Sequence, residues 1–145
     1  MLRGGFIKEE YMSSASVKWI GGKKFIGIDS TNHSVVLSTP DEGVGMKPSE
    51  LMLVALASCT AVDVVEILTK KRIALESLDI SAEAEQEQDP PWTFRKIHLT
   101  YRLKGAGLLA KDAEKAIELS EKKYCSVAAT LRGKAEITTS FEILE

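Results

Sequence analysis

At 145 residues and 44% hydrophobic content, the chain can bury one complete core and is too short for two ordinary domains, so a single domain over 1–145 is expected. Its 19 basic and 21 acidic residues leave a formal charge of -2 and are mixed along the sequence, without the basic stripe that a nucleic acid requires. Met1 to Tyr11 carries Lys8, Glu9 and Glu10 where a secretory signal needs apolar residues. No apolar run is read as reaching the roughly 20 residues that span a bilayer, so a cytoplasmic chain with no membrane partner is expected.

Val17–Ile20 and Lys23–Ile28 read as strands flanking Gly21-Gly22, a pair that supplies the positive backbone angles of a hairpin turn. His33–Ser38 is a third short strand. A turn-rich link, Thr39 to Gly45, leads to Pro48-Ser49-Glu50, where proline, serine and an acidic side chain favour a helix start. That helix continues to about Lys71, roughly 36 Å at 1.5 Å per residue. From Leu51 to Ala57 it is apolar on every side, so it should be covered by protein on most faces.

Leu78, Ile80, Ala82 and Ala84 alternate with polar residues, as do Ile97, Leu99, Tyr101 and Leu103, which predicts two half-buried strands joined across Pro90-Pro91. A helix from Lys111 to about Lys123 presents Ala113, Ala116, Ile117, Ser120 and Tyr124 at spacings of three and four. Ser126–Leu131 reads as a further short helix, and Ala135 to Ile143 alternates as a closing strand. Strands, long helix, two strands, one or two helices and a strand give an α+β fold with a buried central helix.

Cys59 and Cys125 are the residues that point to chemistry. Each lies in an apolar, helix-forming stretch, 66 positions apart, where neither a structural disulfide nor a zinc site is normally built. In a reducing compartment a transient bridge is the chemically reasonable one. A thiol reacts as thiolate, and at a pKa near 8.5 only about 3% is ionised at pH 7, so a reactive cysteine needs a nearby cation or donor. Cys59 lies some three turns inside its helix, beyond the reach of that helix's own dipole. Cys125, if it opens the helix at Ser126, has such a dipole to itself. The plain alternative for either residue alone is a small, inert, buried hydrophobe. His33 and His98 have no ligand spacing to either cysteine, and His98 as the base of a cysteine hydrolase would sit on the polar face of a strand. Trp19 and Trp92 read as packing at core edges, and Gly43-Val44-Gly45 lacks the strand and third glycine of a phosphate loop. The sequence implies no cofactor and no metal.

Pro48-x-x-Leu51 followed by small and apolar residues up to Cys59, with Tyr124-Cys125-Ser126-Val127 some 66 positions later, resembles the OsmC/Ohr family of osmotically inducible and organic hydroperoxide resistance proteins. Val17-Lys18-Trp19 and the run Leu119 to Ala128 are most similar to its YhfA-like branch. The resemblance implies an interlocked homodimer with two active sites at the subunit interface and thiol peroxidase chemistry on small organic hydroperoxides. By that analogy Cys59 attacks the peroxide, Cys125 resolves the sulfenic acid as a disulfide, and an external dithiol reduces the pair. The alternative function is a non-catalytic binding protein that uses an apolar pocket at the dimer interface, its cysteines inert or sensing oxidation. Characterised family peroxidases hold the attacking thiolate with an early-strand arginine and a glutamate two positions ahead of the helix leucine. That glutamate position is Ser49 here, with Glu50 one residue later, and the chain has no arginine between Arg3 and Arg72. Glu50 and one of Lys18, Lys23 or Lys24 are the candidates to replace them.

Overall fold

The computed structural model describes residues 12–145, which fall into two compact units divided between Leu51 and Met52. The first unit is an antiparallel meander of β1 (Ala15–Trp19), β2 (Lys24–Asp29) and β3 (Ser34–Ser38). Gly21 and Gly22 make the β1–β2 turn at φ of 102° and 55°, the left-handed region that glycine enters without a steric cost. Trp19 is 66% exposed rather than packed at a core edge, and its indole N–H donates to the Gly22 carbonyl at 2.8 Å. At the β2–β3 turn the Asp29 carboxylate accepts from the backbone N–H groups of Thr31 and His33, which fixes the chain reversal.

Helix α1 spans Pro48–Lys70, with Glu50 in its first turn and Lys70 in its last, each complementing the helix dipole. Contrary to the sequence expectation, it is long and apolar enough to cross a bilayer by length and composition. Its packing gives the helix another use: Leu56, Thr60, Val64 and Leu68, four residues apart, form one stripe buried in the core. The expected burial on most faces is not met within one chain. Of the run Leu51 to Ala57 only Leu56 is buried, while Val54, Val62 and Val65 are 46%, 64% and 43% exposed.

In the second unit, β4 (Leu75–Gln86) pairs antiparallel with β5 (Phe94–Gly105), and β6 (Glu136–Ile143) lies parallel to β5 in the order β4-β5-β6. The alternation of β5 puts Ile97, Leu99, Tyr101 and Leu103 on the buried face, as their spacing predicts. A parallel neighbour requires a long crossover, and it is built from α2 (Ala110–Leu119), a π-helical turn (Ser120–Tyr124) and α3 (Ser126–Leu131). The predicted helix over 111–123 is therefore two pieces. Ala113, Ala116, Ile117 and Ser120 follow the expected buried stripe, but the wider π-turn shifts the phase, and Tyr124 emerges 52% exposed.

Candidate functional site

The crossover delivers Cys125 to a position that the sequence only partly foretold. It closes the π-turn, its N–H donating to the Ser120 carbonyl five residues back at 2.8 Å, and it caps α3, its sulfur accepting from the Ala128 N–H at 3.3 Å. It is 2% exposed, whereas Cys59 on α1 is only partly buried and packs against the same core. Both are free thiols, and the Cys59 side chain is close enough to interact with the Cys125 sulfur.

Burial decides how Cys125 ionises. Removal from water pushes the Cys125 thiol up to about 11, the N–H groups of Ala128 and Val127 oppose the shift, and the neighbouring Cys59 side chain adds to it. The favourable helix-end position, which alone would have made Cys125 the more acidic thiol, is outweighed by desolvation. Cys125 therefore stays protonated at neutral pH.

Two polar pairs frame the thiols on the same side of α1. Thr60, the residue after Cys59, hydrogen-bonds the Tyr101 hydroxyl at 2.6 Å inside the core. The Tyr101 phenol is pushed up to about 12, chiefly by its burial. Asp63, one turn beyond Cys59, accepts at 2.7 Å from the hydroxyl of the fully buried Ser120. Neither pair was singled out by sequence reasoning. The available signal was Asp63, a carboxylate set into the otherwise uncharged run from Leu51 to Val65 and four residues from Cys59.

Glu50 does not join this cluster within one chain. It is exposed, its carboxylate is paired with Lys47 at 3.0 Å, and it precedes Cys59 by nine residues. That separation is about 13 Å of helix rise and half a revolution, so the two side chains leave opposite sides of α1. Lys23 is held by Asp41 at 2.6 Å, a contact that draws the Asp41 carboxyl down to about 2. Among the described residues neither Lys18 nor Lys24 forms an ion pair. His98 sits on β5 between the inward-facing Ile97 and Leu99, so it faces away from the core, with its ring nitrogens 2.7 Å from Thr138 Oγ1 and 2.8 Å from Ser140 Oγ. That placement removes it as a base for either cysteine. Among the described residues no group of three or more His, Cys, Asp or Glu side chains is placed to hold a metal ion.

The fold is α+β, with one cysteine on a long apolar helix and a second on the β5–β6 crossover, both in the same core. The chain belongs to the OsmC-like protein family, whose model matches residues 39–140 and so runs across both compact units. Protein YhfA of Escherichia coli K12 is 32% identical over 130 residues, covering 90% of this chain and 97% of that protein. Among solved structures, the OsmC-like protein from Mycoplasma pneumoniae superposes with a TM-score of 0.80 at 16% identity, covering 94% of this chain and 99% of the other. The organic hydroperoxide resistance protein OhrB of Bacillus subtilis gives 0.62 at 14% identity, covering 92% and 99%.

Proposed function

We propose that the protein is a thiol-dependent peroxidase for small organic hydroperoxides, acting in the cytoplasm as a homodimer and recharged by an external dithiol. The observation that carries the reading is the placement of a half-buried Cys59 and a buried Cys125 in one core within a single chain. Membership of the OsmC-like family supports it, as does the fold shared with an organic hydroperoxide resistance protein.

The roles follow from the two environments. The Cys59 thiolate attacks the distal peroxide oxygen, the O–O bond breaks, and the alcohol leaves after taking up a proton. Cys59 is oxidised by two electrons to the sulfenic acid and the peroxide is reduced by two. Cys125 then attacks the Cys59 sulfur, the S–S bond forms, and hydroxide leaves as water with the proton that Cys125 gives up. A thiol kept protonated until that moment does not compete for peroxide. The dithiol returns both cysteines to the reduced state by exchange. Because Glu50 cannot reach Cys59 of its own helix, a part for it in activating the thiolate requires the Glu50 of a second copy.

Peroxide consumption by single-cysteine variants tests the assignment. Cys59→Ser should consume no cumene hydroperoxide above background. Cys125→Ser should consume one equivalent and stall, with a sulfenic acid at Cys59 that dimedone traps. Consumption by Cys59→Ser equal to that of the unmodified chain would reverse the roles, and no consumption by any form would leave the binding-protein function.

A further inference from the structure

We infer that Asp63 and Ser120 are positioning residues that hold the Cys125 sulfur against Cys59; their use in turnover rests on the peroxidase reading above. Four residues and two hydrogen bonds close a ring. Cys59 and Asp63 are one turn apart on α1, the Ser120 hydroxyl donates to Asp63 Oδ2 at 2.7 Å, and the Ser120 carbonyl accepts the Cys125 N–H at 2.8 Å. Cys125 belongs to the core cluster against which Cys59 packs. Ser120 thus links the helix that carries one thiol to the backbone of the other.

The core alone gives no reason for this arrangement. Ser120 is completely buried beside Ala113, Ala116 and Ile117, where an unpartnered hydroxyl is costly and alanine would suffice for packing. The five-residue bond at Ser120 is also a departure from α-helix: in a continued α2, the Cys125 N–H would bond the Glu121 carbonyl, and Cys125 would be carried further around the axis. That Glu121 carbonyl is taken instead by the guanidinium of Arg132, from just beyond α3. The π-turn is therefore held at both of the carbonyls that could receive Cys125, and the side chain that anchors it to α1 is Ser120.

The deciding experiment measures the Cys59–Cys125 disulfide at equilibrium in reduced and oxidised dithiothreitol, with free thiols trapped by alkylation. A parallel single turnover with cumene hydroperoxide and dimedone reads the resolving step. Ser120→Ala and Asp63→Ala should each lower the disulfide equilibrium constant about tenfold, the effect of losing one charge-assisted hydrogen bond. Both should let dimedone trap the Cys59 sulfenic acid while changing the rate of its formation less than twofold. Asp63→Asn keeps the acceptor and should stay close to the unmodified chain, and the double alanine variant should be no worse than either single one. Equal disulfide stability in Asp63→Ala and Asp63→Asn overturns the inference, as does full additivity in the double variant. If Ser120→Ala does not fold, the Asp63 comparison alone decides. If the unmodified chain consumes no peroxide, the peroxidase reading fails, while the dithiothreitol equilibrium still tests the positioning.

Discussion

At the scale of single residues, the two cysteines differ through solvent rather than through helix position. Cys125 has the helix end and two backbone N–H neighbours, yet its thiol is pushed from an ordinary 9.0 up to about 11 because it is almost wholly out of water. The shift has a consequence for stability. Between these values the folded protein keeps a proton that the unfolded chain has released, so the contribution is fully present below pH 9 and is lost as pH rises through 11. At about 1.4 kcal/mol per unit the loss is roughly 2–3 kcal/mol. Urea midpoints at pH 8, 9.5 and 10.5 should fall for the unmodified chain and fall less for Cys125→Ala. Tyr101, shifted from 10.0 to about 12, adds its own decline above pH 10 to both proteins, so the difference between them is the quantity read. Parallel declines would mean that Cys125 is not desolvated. Of this site, the sequence made legible the two thiols and the helix that Cys125 opens. The rise of the Cys125 thiol was not legible, because it depends on burial by residues that the sequence places far away.

At the scale of elements, periodicity carried the fold well where one face meets one core. The alternation of β5 and the three-and-four spacing of Ala113, Ala116 and Ile117 on α2 both lie where their patterns direct them. The π-turn was not legible. Leu119-Ser120-Glu121-Lys122-Lys123-Tyr124 continues the α-pattern without a glycine or proline to break it, and the wider turn is supported by the Asp63 and Arg132 contacts from outside the segment. Glu50 does not meet Cys59 of its own helix for a simpler reason: proximity in sequence along a helix says little about facing, and nine residues is half a revolution out of phase. Two substitutions test the packing. Leu56→Ala, which empties a fully buried site between α1 and the sheet, should cost about 2–5 kcal/mol in urea unfolding. Tyr101→Phe removes the hydrogen bond to Thr60 and should cost about 1 kcal/mol, since the ring still fills its space.

For the whole molecule, α1 leaves apolar surface that one chain does not cover. Val54, Val62 and Val65 are exposed on a helix whose other side is buried in the core, and that remainder is the physical argument for a second copy. Light scattering at micromolar concentration should report twice the 15.9 kDa chain mass. Val62→Glu, at the most exposed of the three positions, should shift the distribution toward monomer and lower the unfolding temperature. A monomer that persists on concentration would contradict the dimer and, with it, a second-copy Glu50 at Cys59. The paired-thiol chemistry is tested most directly by treating the reduced protein with one equivalent of cumene hydroperoxide and mapping its peptides by mass spectrometry. The account predicts a Cys59–Cys125 disulfide within one chain and the loss of one equivalent of peroxide. Both thiols free, with the peroxide unconsumed, would contradict it.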